Sequence, residues 1–455
     1  MMRALSLSEL CAPLAARLVG EDAVFDGVST DSRAMAPGDL FVALVGEKFD
    51  AHAFLSDVAQ AGAGAALVAT GTNATLPTLQ VEDTLRALGR LGAYNRNLFG
   101  GTLVAITGSN GKTTAKNMIN AVLSQAGNTL ATEGNFNNEI GVPLTLLRLH
   151  PGVEYAVVEM GAGKGGDIRW LCELGRPAIG VLLNAMPAHL EGFGSVDDVA
   201  QAKGEIFDEL GAAGCAVINA DQVYARQWRR RAGEARILDF GLEQPAAITA
   251  RDIQLRGLEG ISFTASTPEG DIAMRLGFSG RHNVANALAA TAVGLACGLP
   301  LTGIRDGLES LQPVEGRLRT VVGRNGAQLI DDCYNANPGS VRAGIDTLAG
   351  CAGRRTLVLG AMLELGEESE KLHREIGEYA RSAGLDGLVG VGPELETTVT
   401  AFGAGARHFD TREAAAAALV SELVDDDVLL IKGSRSSGME RVLQALSAQP
   451  PAGEG

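Results

Sequence analysis

The sequence predicts an α/β protein of several domains built on mostly parallel sheets. At roughly 100–200 residues per domain, a chain of 455 residues corresponds to about two to four domains. Short apolar runs, such as 155–159, 215–219 and 428–431, alternate with longer segments whose apolar residues have helical spacing. This alternation is typical of parallel strands joined by crossover helices. A glycine-rich loop at 107–114 follows one such strand and precedes one such helix.

Residues 1–100 are predicted to form the first domain, in which helices and strands alternate. Leu85, Leu88 and Leu91 lie on one face of a helix, and Gly100-Gly101 after that helix predicts a domain boundary. From its residues alone, Asp31-Ser32-Arg33 is either a surface turn with a local salt bridge or part of a binding site. The predicted helices cover 8–18, 54–62 and 84–98, and strands are predicted within 37–44 and over 65–69.

The loop at 107–114 has the residues and the position of a phosphate-binding loop. Gly108 and Gly111 allow the backbone to fold so that several N–H groups point at one anion. The helix predicted over 115–126 adds its unpaired N–H groups and its dipole. Lys112 supplies a positive charge for the outer phosphates of a nucleotide, and the Thr113 hydroxyl is a suitable Mg²⁺ ligand.

The loop is a shorter variant of the common pattern. That pattern has a further glycine five residues before Gly111, where this chain has Ile106. The alternative is a glycine-rich turn with a chance Lys-Thr pair. It is disfavoured because the flanking strand, the helix and the residue types all agree with phosphate binding.

Residues 101–312 are predicted to form the second domain, and two of its segments carry candidate ligands. The segment 132–143 holds Asn135, Asn137 and Asn138, which suit either substrate contacts or an ordinary surface loop. Glu159 ends an apolar strand, where ligands bind in open α/β sheets, and is a candidate Mg²⁺ ligand. A surface glutamate at a strand end is the alternative.

Two further residues of this domain are ambiguous from their surroundings. His189 follows a predicted strand, but a single histidine is usually structural. Lys203 lies in a predicted helix, where a solvated lysine is the ordinary interpretation. The elements predicted here are strands over 178–184 and 215–219, an antiparallel edge over 246–276, and helices over 199–210, 280–297 and 301–311.

Residues 313–455 are predicted to form the third domain. Strands again alternate with helices, which predicts a second mostly parallel sheet. Asp332 and Lys432 lie at the ends of predicted strands, where such a sheet binds its ligands. The predicted strands end at 332 or cover 356–360, 387–391 and 428–431, and helices end near 348 or cover 369–383, 411–423 and 439–447.

Composition argues against several other classes of protein. A net charge of −16 disfavours a nucleic-acid-binding protein, although a local basic pocket is compatible with an anionic substrate. The six cysteines are widely spaced, which predicts reduced thiols of a cytoplasmic protein and neither a disulfide framework nor a zinc site. The first residues lack the pattern of a signal peptide, and no apolar run reaches the ~18 residues of a membrane span.

Several strings resemble the Mur ligases, the ATP-dependent amino-acid ligases of peptidoglycan synthesis. The string 107–114 is similar to their ATP loop, which the folylpolyglutamate synthases share. Asp31-Ser32-Arg33 together with 37–44 resembles their UDP-sugar domain. The Asp-Asn-Pro-Arg string of the diaminopimelate-adding branch is absent. The strings that resemble the dipeptide-adding branch are 134–138, 188–195, 202–207, 331–338 and 432–435.

The resemblance implies a three-domain enzyme. Its parts would be an N-terminal α/β UDP-binding domain (1–100), a central mostly parallel sheet with the phosphate loop (101–312) and a C-terminal Rossmann-like domain (313–455). The implied reaction uses ATP and Mg²⁺ to join D-alanyl-D-alanine to UDP-N-acetylmuramoyl-tripeptide through an acyl phosphate. The two substrates are the expected partners, with no nucleic acid and no membrane insertion, and a cytoplasmic monomer is expected.

The resemblance also implies roles for individual residues. Lys112, Glu159, His189 and Lys203 would be catalytic. Thr113 and Glu159 would bind one Mg²⁺ and His189 a second, while Lys203 matches a lysine that the family carbamylates into an oxygen ligand for Mg²⁺. The other expected ATP contacts are Gly108, Ser109, Asn110, Gly111, Thr114, Asn283, Asn286, Arg317 and Asp332. The expected substrate contacts are Ser32, Lys48, Asn135, Asn137, Asn138, Lys432, Ser434 and Arg435.

Two positions depart from the family pattern. Lys164 stands where the family usually has histidine, and it keeps a hydrogen-bond donor while adding charge. Ala361 replaces an aspartate whose role is unassigned.

Two other functions are compatible with the loop at 107–114. One rival function is a folylpolyglutamate-type ligase, against which the UDP-type first domain argues. The other is a non-ligase NTPase, against which Glu159 and the segment around Lys203 argue.

Overall fold

The computed structural model describes residues 2–46, 49–187, 190–313 and 315–448. Its elements form three successive α/β units with sheets of five, nine and six strands, and a two-stranded ribbon lies near the N-terminus. Parallel pairs dominate each of the three sheets. The predicted α/β class with mostly parallel sheets is therefore confirmed.

In the first unit, one helix predicted from apolar spacing extends too far. The helix predicted over 8–18 ends at Leu14, where Ala15 adopts a left-handed φ of 51°. Arg17–Val19 is instead a strand, because its backbone pairs antiparallel with the distant Thr78–Val81. The elements are β1 (Leu5–Ser6), α1 (Leu7–Leu14), β2 (Arg17–Val19), β3 (Val24–Phe25), β4 (Val28–Ser29), β5 (Leu40–Val42), α2 (Leu55–Gln60), β6 (Ala65–Ala69), β7 (Thr78–Val81) and α3 (Thr84–Asn97).

The second unit begins with the strand that precedes the phosphate loop. Its elements are β8 (Thr102–Thr107), α4 (Lys112–Leu123), β9 (Thr129–Ala131), α5 (Gly141–Leu147), β10 (Tyr155–Glu159), α6 (Asp167–Gly175), β11 (Ile179–Leu182), α7 (Leu190–Phe193), α8 (Val196–Gly204), β12 (Cys215–Asn219), α9 (Ala225–Arg231), β13 (Arg236–Gly241), β14 (Ile248–Leu255), β15 (Ile261–Thr267), β16 (Gly270–Leu276), α10 (Arg281–Ala296) and α11 (Leu301–Glu309).

The order of strands in this sheet places the loop at its centre. β8 pairs in parallel with β10 on one side and β11 on the other, and 103–107 are buried. Burial on both faces explains the unbroken apolar run. β14, β15 and β16 pair antiparallel at one edge, as predicted from their alternating residues. The carboxyl ends of β8, β10 and β11 therefore meet at one rim of the sheet.

The third unit repeats this arrangement. Its elements are β17 (Arg319–Val322), β18 (Gln328–Asp332), α12 (Pro338–Ala349), β19 (Arg354–Gly360), α13 (Ser369–Ser382), β20 (Gly387–Val391), α14 (Glu396–Phe402), β21 (Ala406–Phe409), α15 (Arg412–Glu422), β22 (Asp427–Lys432) and α16 (Glu440–Leu446). Only β17 pairs antiparallel, at the edge of the described sheet. Asp332 and Lys432 are opposite each other in the β18–β22 register, so both predicted strand-end ligands share one site.

Membrane crossing requires a long helix that is apolar along most of its length. Within the part of the chain that the structure describes, no helix meets both conditions.

Candidate active site

A cavity of about 690 Å³ lies between the second and third units. It opens at the carboxyl ends of the central parallel strands, which is where open α/β sheets bind ligands. The predicted site residues that line it are Ser109, Asn110, Gly111, Lys112, Thr113, Thr114, Asn135, Asn137, Asn138, Glu159, Lys203, Asn283, Asn286, Arg317, Asp332 and Lys432. The structure thus brings together residues separated by more than 300 positions in sequence.

The backbone of the phosphate loop requires glycine at position 111. Gly111 has a φ of +81°, a conformation that side chains rarely adopt, and it directly precedes α4. A Cβ atom at this position would lie 2.8 Å from the Asn286 side-chain oxygen. The loop and the start of α10 are therefore packed together at the phosphate end of the cavity.

Replacing Gly111 with alanine is expected to destabilise the chain by about 1–2 kcal/mol through backbone strain. Crowding of Asn286 should add a loss of nucleotide affinity on the order of tenfold. Gly298→Ala is the matched control, because Gly298 also has a positive φ of +77° but no described atom lies within 4 Å of the added Cβ. Thermal melting and ATP titration of both variants separate strain from crowding. Equal ATP affinities would contradict the role of Asn286.

The Lys112 side chain folds back over its own loop. Its Nζ donates to the Gly108 carbonyl at 2.7 Å and lies 3.4 Å from the Ser109 carbonyl oxygen. Burial lowers the pKa of Lys112, while the Glu159 carboxylate opposes that shift. A partly buried cation attracts phosphate oxygens more strongly than a fully solvated one.

Glu159 is held in place by two neighbouring side chains. It is 2% exposed, and its Oε2 accepts a hydrogen bond from the Thr113 hydroxyl at 3.0 Å. The side-chain amide of Asn137 donates to Oε1 at 2.9 Å. A hydroxyl and a carboxylate oxygen this close form a donor set that suits Mg²⁺. Across the described residues, no group of three His, Cys, Asp or Glu side chains is placed to hold a metal ion.

The structure corrects the interpretation of Lys203 as a solvated lysine. Its side chain lines the cavity from α8 and is only 2% exposed, with Nζ 5.9 Å from the centre of the Phe193 ring. Burial and, to a smaller extent, the charge of Lys112 lower the pKa of Lys203 to about 7, against the opposing effect of Asp167. The lowered pKa increases the fraction of this amine that is unprotonated and nucleophilic at neutral pH.

Two contacts join the third unit to the phosphate loop. The guanidinium of Arg317 stacks 4.2 Å from the centre of the Tyr334 ring and donates to the Thr113 hydroxyl at 3.0 Å. The side-chain amides of Asn110 and Asn337 form a reciprocal pair, with N···O distances of 3.1 and 2.6 Å. These bonds hold the third unit against the phosphate loop.

Asp332 and Lys432 form a buried ion pair at the opposite wall. Lys432 Nζ donates to the Asp332 carboxylate at 2.6 Å and to the Asn335 carbonyl at 2.8 Å. Burial nevertheless raises the pKa of Asp332. Burial and the charge of Lys432 lower the pKa of His282 to about 4, so this cavity-lining histidine is neutral at pH 7.

Some predicted residues are not part of this cavity. Ser32 lies in the first unit, and Gly108, Ser434 and Arg435 are outside the described lining. Ser434 is 5% exposed; its hydroxyl accepts from the Leu363 N–H at 2.9 Å and lies 3.3 Å from the Ala336 carbonyl. Two predicted residues, Lys48 and His189, lie outside the described residues.

The two departures from the family pattern are also outside the described cavity lining. Lys164 is exposed, and its backbone N–H donates to Asp167 at 3.0 Å. Ala361 is buried in the apolar core of the third unit, and its carbonyl accepts from the Ser434 N–H. An aspartate there would need a partner for its charge, and alanine needs none.

Sequence reasoning missed several cavity residues. Asp167 and Trp170 begin α6, and no motif marked them. The Arg86 guanidinium of the first unit lies 4.3 Å above the Trp170 ring, so this tryptophan joins the first unit to the cavity. Tyr334 and Asn337 lie inside the string 331–338, and that string was the available signal for both.

Three family models match the chain in order. The Mur ligase family catalytic domain matches residues 24–96, and the Mur ligase middle domain matches residues 106–294. The Mur ligase glutamate ligase domain matches residues 316–435.

Whole-chain comparisons agree with these matches. The chain is 44% identical to the UDP-N-acetylmuramoyl-tripeptide–D-alanyl-D-alanine ligase of Escherichia coli (strain K12), over 98% of this chain and 99% of that protein. It is similar to MurF from Acinetobacter baumannii, with a TM-score of 0.93, 34% identity and coverage of 97% and 98%. It is also similar to MurF ligase from Thermotoga maritima in complex with ADP, with a TM-score of 0.83, 30% identity and coverage of 92% and 96%. The chain belongs to the Mur ligase family.

Proposed function

We propose that this chain is the ATP-dependent ligase that joins D-alanyl-D-alanine to UDP-N-acetylmuramoyl-tripeptide in peptidoglycan synthesis. The relative from Escherichia coli carries that activity in its name and covers almost the whole chain. The observation that supports the proposal most is the shared cavity. It combines a phosphate loop, the Thr113–Glu159 oxygen pair, the buried amine of Lys203 and basic groups of the third unit.

The phosphate end of the cavity suits ATP and Mg²⁺. The amides of the loop and Lys112 would hold the phosphates, with Asn283 and Asn286 near the nucleotide. Thr113 and Glu159 would hold one Mg²⁺ through oxygen atoms that lie 3.0 Å apart. When bound, Mg²⁺ would neutralise charge on the phosphates. His189 and a carbamate on Lys203 are proposed as ligands of a second ion.

The reaction must activate a carboxylate, which is a poor electrophile. An oxygen of the tripeptide carboxylate attacks the γ-phosphorus of ATP, and ADP leaves. The amine of D-alanyl-D-alanine then attacks the acyl carbon, loses a proton and expels phosphate. Lys112 and Arg317 would stabilise the negative charge that develops on the transferred group, and the third unit would exclude water from the acyl phosphate.

We propose that Lys203 is carbamylated, as the resemblance to the Mur ligases implies, and the environment of Lys203 supports this proposal. The neutral amine attacks CO₂, forms an N–C bond and releases a proton, which leaves a carboxylate-like group on the lysine. A lysine with an ordinary pKa of 10.5 is almost entirely protonated at pH 7, whereas Lys203, with a pKa of about 7, is not. The burial that lowers the pKa of Lys203 therefore supports the proposed modification.

The substrates are proposed to approach from two sides. Ser32 and Lys48 would contact the UDP end in the first domain (1–100), and Asn135, Asn137 and Asn138 would contact substrate in the second (101–312). Lys432, Ser434 and Arg435 of the third domain (313–455) would lie near the dipeptide or the reacting phosphate. We propose that the enzyme is cytoplasmic, since its nucleotide substrates are intracellular, and that it is a monomer.

Phosphate release from ATP tests the proposal. Release is expected only when UDP-N-acetylmuramoyl-tripeptide and D-alanyl-D-alanine are both present, with formation of the joined product. L-alanyl-L-alanine is the matched control and should give little product. Release that needs neither substrate would indicate an NTPase, and release that follows a folate and glutamate would indicate the other ligase class.

A further inference from the structure

A second buried lysine lies behind the phosphate loop. Lys116, one helical turn after Lys112 on α4, is only 5% exposed and is not among the described residues that line the cavity. Burying an ammonium group is costly unless it is paired or strongly hydrogen-bonded. A methionine or leucine would fill the same space without that cost. The charge and the N–H donors of Lys116 therefore need an explanation.

Lys116 holds Thr132, the residue that follows β9. Its Nζ donates to the Thr132 carbonyl at 2.6 Å. The Thr132 N–H donates to the Val157 carbonyl at 3.0 Å, and the Thr132 hydroxyl accepts from the backbone N–H of Glu159 at 3.0 Å. Three hydrogen bonds thus fix a residue that is 2% exposed.

This arrangement connects Lys116 to both sides of the metal site. Thr132 supports the backbone of Glu159, and it also begins the loop that carries Asn137. The Asn137 amide in turn donates to Glu159 Oε1. Attraction between the Lys116 ammonium and the Glu159 carboxylate opposes the cost of burial. Moving Thr132 would therefore shift the carboxylate and its amide partner together.

We propose that Lys116 is a positioning residue for the Mg²⁺ ligand Glu159 and acts through Thr132. This inference rests on the proposed metal role of Glu159. Lys116 is not among the described residues that line the cavity, so the proposed role is one of positioning and not of contact with the nucleotide. Partners behind a metal ligand typically control affinity or activity by 10–100-fold when removed, because they fix the ligand's position.

The experiment measures Mg²⁺-dependent binding of a non-hydrolysable ATP analogue by calorimetry, together with the Mg²⁺ concentration for half-maximal velocity. In Lys116→Met, both should require about 10–100-fold more Mg²⁺. Lys116→Arg keeps a charged donor and should stay within about threefold of wild type. Lys371→Met is the matched control, since Lys371 is an exposed lysine on α13 paired with Glu368, and it should not change.

Thr132→Val tests whether Lys116 acts through Thr132. This variant also keeps the inference testable if Lys116→Met does not fold. Valine keeps the carbonyl that Lys116 contacts but loses the hydroxyl that accepts from Glu159, so the Mg²⁺ requirement should rise by about tenfold. In the variant that combines Lys116→Met with Thr132→Val, the rise in Mg²⁺ requirement should be smaller than the product of the two separate rises. Unchanged Mg²⁺ requirements in folded Lys116→Met, or in Thr132→Val, would overturn the inference. If the wild type binds the analogue equally well with and without Mg²⁺, the proposed metal role of Glu159 is overturned instead.

Discussion

Replacing Lys203 with alanine is expected to lower kcat by about three orders of magnitude while the chain stays folded. The variant loses the amine that would become a carbamate, and with it an oxygen ligand for Mg²⁺ worth several kcal/mol in the transition state. Lys203→Arg is the matched control, because arginine keeps a positive charge but does not react with CO₂ at neutral pH. Both variants should be inactive in the coupled phosphate-release assay. Recovery of activity in Lys203→Arg would mean that the residue acts only through its charge.

The pH dependence of the modification tests the same residue without an activity assay. Carbon-13-labelled CO₂ should form an adduct whose NMR signal rises as pH increases through about 7, since the neutral amine is the nucleophile. The signal should be absent from Lys203→Ala. A rise centred near 10.5, the ordinary pKa of a lysine, would contradict the lowered pKa.

Stability gives an independent check on burial of this lysine. A folded-state pKa below the unfolded value means that Lys203 costs folding free energy at low pH. That cost is fully present below about 7 and disappears as pH rises through 10.5. Lys203→Met fills the same space without a charge, so it should melt above wild type at pH 6 and approach it at pH 10. Identical melting at both pH values would show that the amine is solvated.

The buried central strands were the most predictable part of the fold. Tyr155–Glu159, Cys215–Asn219 and Gly387–Val391 have the bounds predicted from their apolar runs. Such strands are covered on both faces, so each appears as an unbroken apolar run with a polar residue or glycine near its end. Local chemistry therefore determines these elements almost completely.

Short strands that depend on a distant partner could not be predicted in this way. Arg17–Val19 is only three residues long and continues a helical pattern, but pairing with Thr78–Val81 makes it a strand. Leu5–Ser6 and Val24–Phe25 form a ribbon for the same reason. The information that specifies them lies in tertiary contacts, which one segment of sequence does not contain.

The residues of the site show the same difference between local and distant determinants. The phosphate loop and Glu159 were predicted from residue types next to a strand, because their chemistry depends on neighbours in sequence. The ordinary interpretation of Lys203 was wrong about its exposure, since its burial depends on packing around α8 that is not local. The hydrogen bond from Arg317 to Thr113 and the contact between Trp170 and Arg86 join different units, and no spacing rule indicates them.

Replacing Arg317 with alanine is expected to lower kcat by about 10³-fold and to change the KM for D-alanyl-D-alanine by less than about threefold. Its guanidinium comes from the third unit and reaches the Thr113 hydroxyl at 3.0 Å, at the phosphate end of the cavity. In that place it would stabilise charge that appears only during phosphoryl transfer. Steady-state kinetics with each substrate varied in turn would separate the two constants.

The Tyr334 ring distinguishes a placed guanidinium from a simple positive charge. Arg317→Lys should not restore activity, because an ammonium group cannot reproduce the planar stack at 4.2 Å from the ring centre. Tyr334→Phe keeps the ring and should remain close to wild type, whereas Tyr334→Leu should lose roughly tenfold in kcat, which corresponds to about 1.4 kcal/mol of stacking. A higher KM for ATP with unchanged kcat in Arg317→Ala would contradict this role. The arginine would then bind the ground state and the transition state equally, and it would contribute to ATP binding alone.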